Sequence, residues 1–262
     1  LEITLIGSEL QALTKTQIAV TGGDTSPKID GQDVPMWQTL SLQEDEVISL
    51  GKMESGCRVY LSVGGGINTP PLLGSASTYA RGGFGGINGR QLKTGDVIER
   101  HPTSPLKSEY KMAEELVPQF ADHVKAHVIM GPQADMFSEG GIDTFLSNQY
   151  KVTSEVDRMG YRLEGPMIEH KAKAEIISDA LLPGAIQVPK NGKPIIMMRD
   201  AQTTGGYPKI AVTITSDLSV LGQSKPNDVI EFLTISLEDA HEKLREYHKL
   251  LNNLNEMLIR SK

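Results

Sequence analysis

The chain has 262 residues, 39% of them hydrophobic and 23% charged, which suffices for one large or two ordinary globular domains. A net charge of -7, a pI near 5.4 and no stripe of Lys and Arg exclude a dedicated nucleic-acid binder, and no apolar run approaches the roughly 20 residues that span a bilayer. The 26 glycines and 14 prolines favour short strands joined by turns, and a single cysteine, Cys57, expected to be a buried structural thiol, points to a reducing cytoplasm.

Leu1 to Ile6 alternates Leu1, Ile3 and Leu5 with Glu2 and Thr4, the period of a half-buried strand. No signal peptide is expected before it, and a chain that starts inside a strand is expected to be a fragment lacking its N-terminal residues. Further strands are predicted at Gln17 to Val20, Val47 to Leu50 and Val59 to Val63, so residues 1–105 read as a first β meander or barrel. Val63 to Arg90 then carries nine glycines and predicts a long structured loop. Two readings of it stay open: a nest of backbone N–H groups for an anion, with Arg81 or Arg90 adding charge, or a tight barrel corner. There is no Gly-Lys-Ser/Thr of a P-loop and no dinucleotide fingerprint.

The run Leu92 to Ile98 (LKTGDVI) returns as Asn227-Asp228-Val229-Ile230 and more faintly as Asp45-Glu46-Val47-Ile48, and LIGSEL (5–10) resembles VIMGPQ (128–133). Two similar β units in tandem would produce such echoes. Residues 106–123, charged over KSEYKMAEEL and preceded by Pro102 and Pro105, read as an exposed linker. Residues 124–235 form a second β unit, with strands near Val124 to Met130, Tyr150 to Val156 and Tyr161 to Leu163 and a short helix at Glu139 to Ser147. From Ser236 the period changes: Leu237, Ala240, Leu244, Tyr247, Leu251, Leu254 and Leu258 predict a long amphipathic helix over 236–262, capped by Ser236 and Asp239.

Chemistry concentrates in Glu164 to Ile214. Two apolar runs, Ile195 to Met198 and Ile210 to Ile214, flank Asp200, Gln202, Thr203, Thr204, Gly205, Gly206, Tyr207 and Lys209. This is either a tight Gly-Gly-Tyr-Pro hairpin or a loop held by rigid strands for binding. His170 suits general acid or base work near neutral pH, with Glu169 beside it, and Lys209 can neutralise an oxyanion. Arg81 and Arg158 carry forked guanidinium groups suited to a carboxylate. His123 and His127 share a face, but without a third ligand, a Cys partner or a His-Glu-x-x-His run no metal is expected.

Four segments together, SASTYARGGFGGINGRQLKTGDVI, SEVDRMGYRLEGPMIEH, PGAIQVPKNGKPIIMMRDAQTTGGYPKIA and KPNDVIEF, resemble the KipA family, also known as the second subunit of allophanate hydrolase or the 5-oxoprolinase subunit designated C, related to the carboxyltransferase domain of urea carboxylase. The resemblance runs from Leu1 to about Phe232. It implies a mainly β fold of two tandem cyclophilin-like barrels with few short helices, their motif loops meeting at a cleft. It also implies a component of an ATP-dependent 5-oxoprolinase that opens a small-molecule lactam to glutamate, acting with KipI-like and LamB/YcsF-like subunits, with ATP on those partners and no cofactor on this chain. Arg81, Gly82, Gly83, Arg158, Asp200, Gln202, Thr203, Thr204, Gly205, Gly206 and Tyr207 then become substrate-binding candidates, and Glu169, His170 and Lys209 proton-moving ones. Ala76, Tyr79 and Ala80 stand where the family has Arg, Asp and Leu, which weakens charge recognition there. Two other activities fit the same resemblance: biotin-dependent transfer of a carboxyl group to a urea-like amide, with biotin on a separate carrier, and non-enzymatic binding of a KipI-like kinase inhibitor through the C-terminal helix.

Overall fold

The fold was obtained as a computed structural model that describes residues 1–105 and 108–260. Eight strands fill the first half: β1 (Glu2–Thr4), β2 (Glu9–Gln11), β3 (Thr16–Asp24), β4 (Lys28–Ile29), β5 (Gln32–Asp33), β6 (Thr39–Leu42), β7 (Val47–Ser49) and β8 (Ser55–Val63). They form two four-stranded sheets, ordered β1-β8-β3-β6 and β2-β7-β4-β5, rather than the closed barrel expected from the sequence. Ile18 and Val20, Leu40 and Leu42, Ile48, and Val59 and Leu61 from both sheets share one core. Only β3 and β8 reach nine residues, and the two- and three-residue strands around them are too short for the staggered ladder that closure requires. The glycine-rich region after β8 is a loop pinned by isolated bridges, Ile67 to Arg100 and Tyr79 to Phe84 among them.

The second half does close. Strands β10 (His123–Met130), β11 (Gln149–Val156), β12 (Gly160–Glu164), β14 (Ala185–Gln187), β15 (Ile195–Met197), β17 (Lys209–Thr213) and β18 (Val229–Thr234) form a barrel in the order β10-β17-β14-β15-β12-β11-β18, sealed by a parallel β10–β18 pair. Alternation sends Val124, Ala126 and Val128, Tyr150 and Val152, Tyr161 and Leu163, and Ile230 and Phe232 inward. Helix α1 (Glu139–Ser147), capped by Ser138, adds Phe145, which stacks on Phe232 at 4.5 Å. In chain order β9 (Tyr110–Lys111) precedes the barrel and β13 (Asp179–Ala180) and β16 (Thr204–Gly205) pair beside it.

The two apolar runs that read as hairpin arms, now β15 and β17, do not pair with each other. Strand β14 lies between them, and the connection from Met198 to Pro208 crosses over to make its own β13–β16 pair. The three echoed segments are one turn used three times. In Gln43–Glu46, Lys93–Asp96 and Lys225–Asp228 the last residue's carboxylate accepts from the first residue's N–H at 2.7–2.8 Å, the last N–H returns to the first carbonyl, and the third residue takes positive φ.

Residues 106–123 are not a free linker. The first two lie outside the described residues, and from β9 onward the segment is tied to the first half and to the C-terminal strand: Lys111 bridges to Gln38, Met112 donates to Trp37, and β9 pairs with β19 (Ile259–Arg260). After the one-turn helix α2 (Leu218–Leu221), α3 (Leu237–Met257) starts at Ser236, whose hydroxyl accepts from Asp239 N. It packs on the 3-10 turn Thr215–Asp217 through a side that holds buried Ala240 and half-buried Leu244, Tyr247 and Leu254, and leaves Leu237, Leu250 and Leu251 exposed. No helix among the described residues is long and apolar enough to cross a membrane.

Candidate functional site

Lys209 opens β17 on the barrel wall, and its side chain is only 5% exposed. Nζ donates to Asp179 Oδ2 at 2.5 Å and to the Ala180 carbonyl at 2.9 Å. An ammonium has three N–H groups, so one remains uncommitted among the described residues. Gln133 braces the pair from the other side: its Nε2 donates to Asp179 at 3.2 Å and its Oε1 accepts from Lys209 N at 3.3 Å. Hydrogen bonding by Lys209, then by the Ala180 N–H and Gln133, holds the Asp179 carboxyl below its usual range.

The Thr203–Tyr207 loop closes over this centre because its backbone is zipped to the opposite strand. Leu181 N donates to Thr203 O and Ile176 N to Gly206 O at 2.9 Å, and Asp179 sits opposite Gly205 in the β13–β16 pair. Gln187, almost fully buried, donates its amide to Tyr207 O at 3.1 Å. Gln202, Thr203, Thr204 and Tyr207 therefore point polar groups to solvent beside a fixed cation. Such an arrangement can polarise a carbonyl or hold a developing oxyanion.

A second group of the expected residues gathers where the two halves meet. Asp157 Oδ1 accepts from Met159 N and Gly160 N, a turn that presents Arg158 outward between β11 and β12. Arg158 bonds Asp200 through Nε and Nη2 at 2.9 and 3.2 Å and both Glu2 oxygens through Nη1 at 2.9 and 2.7 Å. The Asp200 bond, reinforced by Glu2, raises the guanidinium pKa further above its already high value. Glu2 also lies 3.6 Å from the Nε of buried Arg58, whose Nη1 meets the Tyr161 hydroxyl at 2.5 Å and the Gly222 carbonyl. Arg81 reaches the Met159 sulfur, so the glycine-rich loop leans on the Arg158 turn.

Other expected residues take structural roles in the geometry. The Gly82 and Gly83 N–H groups both return to the Tyr79 carbonyl at 3.1 and 3.0 Å, so they do not form an open anion nest. A Cβ on Gly82 would come within 2.5 Å of the Tyr79 ring, which packs on Phe84 at 5.2 Å. Arg90 is committed to Asp96 through two bonds of 2.7 and 2.8 Å. Glu169 accepts from the Ser138 hydroxyl at 2.6 Å and His170 Nε2 faces the Val188 carbonyl at 3.0 Å with its ring 4.7 Å from Phe137. These two stitch residues 164–171 to the start of α1 and make no hydrogen bond to Lys209 or Arg158. His123 and His127 pair separately with Glu231 and Asp217, and no group of three or more metal-ligating side chains occurs among the described residues.

Asp179, Gln133, Gln187, Glu2 and Arg58 carry no sequence pattern that singles them out. Asp179 lies in an aperiodic stretch, and Glu2 reads as the solvent side of a strand.

The carboxyltransferase domain, subdomain A and B, matches residues 1–234. The chain is 36% identical to the 5-oxoprolinase subunit designated C of Escherichia coli (strain K12) over 97% of its own length and 81% of that protein. It is 33% identical to the urea amidolyase of Saccharomyces cerevisiae, covering 92% of this chain and 14% of that one. Among solved structures, the Kluyveromyces lactis urea carboxylase superposes with a TM-score of 0.89 at 32% identity, over 97% of this chain and 24% of the other.

Proposed function

We propose that this chain, which belongs to the carboxyltransferase-domain family of subdomains A and B, is a component of a multi-subunit, ATP-dependent 5-oxoprolinase working in the cytoplasm. Water is added across the lactam C–N bond of 5-oxoproline to give glutamate, with KipI-like and LamB/YcsF-like subunits as partners and ATP bound on those partners. The observation that carries this reading is the extent of kinship: a protein named as a 5-oxoprolinase subunit is matched over 81% of its length, whereas the urea enzymes are matched over 14% and 24% of theirs.

The geometry supplies roles that fit. A lactam is an unstrained amide, and its carbonyl must gain negative charge as it is attacked. The uncommitted N–H of Lys209 and the Thr203–Gly206 loop are placed to receive that charge. Asp179 keeps the cation in place, and Arg158 anchors Asp200 at the head of the loop while Arg81 offers a charge for the substrate carboxylate.

The reading is tested by 5-oxoproline-dependent ATP hydrolysis with this chain and its two candidate partners, each omitted in turn. Turnover should require all three, and ATP hydrolysis indifferent to this chain would remove the reading. Arg158→Ala should reduce turnover at least about tenfold if a charge-assisted network orders the loop.

The superposition on a urea carboxylase over 97% of this chain favours one alternative, transfer of a carboxyl group from biotin on a separate carrier to a urea-like amide. Carboxybiotin consumption stimulated by urea and not by 5-oxoproline would decide for it.

A further inference from the structure

A cavity of about 430 Å³ lies between the two halves, and none of Lys209, Asp179 and Gln133 lines it. Its size is that of a small-molecule site. Four flat side chains wall it: Trp37, Tyr60, Phe120 and, from α3, Tyr247. Trp37 adopts φ 60°, a left-handed conformation uncommon for a bulky residue, and is fixed there by hydrogen bonds to Val20 O and from Met112 N, both 2.8 Å. The backbone is thus held in a disfavoured state with the indole in the cavity wall.

The charges at the cavity do not cancel. Arg58 and Arg158 are neutralised by Glu2 and by Asp200 behind it. Arg199, the remaining charged residue of the lining, has no hydrogen-bond or ion-pair partner among the described residues. One net positive charge therefore faces a chamber with aromatic walls.

We infer that this cavity binds an organic carboxylate carrying a flat apolar body, its carboxylate on Arg199 and its body between Trp37 and Tyr247. A guanidinium fork matches a carboxylate in plane and number of donors. The aromatic walls remove the apolar body from water, a contribution that grows with the area covered. Binding here is independent of lactam opening and is read on this chain without partners.

Trp37 is the sole tryptophan, so all tryptophan emission comes from a residue in the wall of this cavity. Titration of the full chain with 3-phenylpropionate should give a saturable change in emission. The uncharged 3-phenylpropionamide, with the same body, should bind about tenfold more weakly, the value of one charge-assisted hydrogen bond. Arg199→Ala, an exposed position, should bring acid and amide to equal affinity while leaving thermal stability unchanged. No saturable change with the acid, equal affinity of acid and amide for the unaltered chain, or a preference for the acid that survives Arg199→Ala would each overturn the inference.

Discussion

Lys209 is a strand residue whose ammonium has been taken out of water, and a buried cation persists only with a carboxylate or several acceptors beside it. Asp179 supplies the carboxylate, and the sign of its pKa shift fixes how the pair responds to acid. The folded-state pKa is depressed, so the stability it contributes is present above the ordinary carboxylate value near 4 and is lost as pH falls through the lower folded value. Asp179→Asn should therefore flatten the acid limb of thermal stability, and identical limbs in the two proteins would contradict the pairing. Tyr150 carries the opposite shift at the alkaline end. Burial pushes its phenol up to about 12, and its hydroxyl donates to Thr144 O at 3.3 Å. Its share of stability is complete below about pH 10 and disappears as pH rises through 12, so Tyr150→Phe should soften alkaline unfolding between about pH 10 and 12. Thermal melts across that range, with tyrosinate absorbance as the second signal, measure it.

At the scale of elements, what the sequence announced was whatever has a period. The inward alternation of β10, β11 and β12, the short helix α1 and the capped stripe of α3 were all legible, because burial of one face imposes spacing of two or of three and four. The echoed Asp-Val-Ile and Glu-Val-Ile segments were legible too, and their cause is a shared turn in which a carboxylate caps the first N–H. Pairing was not legible. Strands β13 and β16 are two residues each and have no period, yet they place Asp179 and Gly205 opposite each other and so assemble the Lys209 centre. Likewise nothing local says that β14 separates β15 from β17, or that the first half stays as two sheets, since those outcomes depend on which edges meet. Gly131 shows the same dependence on a distant strand. Its missing Cβ would lie 2.3 Å from the Lys209 carbonyl, a backbone atom that cannot swing aside. Gly131→Ala should displace the start of β17, cost about 1–3 kcal/mol by overpacking and increase hydrogen exchange at Ile210 and Ala211. Unchanged exchange there would show that the strand is not held by this contact.

Across the whole molecule, the two halves are joined by polar groups that have left water together. Gln223, 8% exposed, accepts from Cys57 N and Arg58 N at 2.9 and 2.8 Å and donates to Arg58 O at 2.9 Å, standing in for a neighbouring strand along the end of β8. From the same place Arg58 reaches Tyr161 and Gly222, and Glu2 passes the charge on to Arg158 and Asp200 at the head of the site loop. The β9–β19 pair ties the far end of α3 to the segment bridged to Gln38. A junction made this way is more brittle than an apolar one, because removing one partner strands the others without solvent. Gln223→Ala leaves three backbone groups of β8 unpaired at the junction, a loss of roughly 2–4 kcal/mol. Gln223→Glu keeps the two accepted bonds and loses the donated one, and should fall between. Because the barrel and the two-sheet half each have their own core, the loss should appear as separation of one calorimetric transition into two, the barrel being the later. A single transition of unaltered midpoint in Gln223→Ala would mean that the halves are coupled elsewhere. If the separation is seen, loss of turnover in the same variant at temperatures where both halves remain folded would place the coupling on the path from β8 through Glu2 and Arg158 to the site loop.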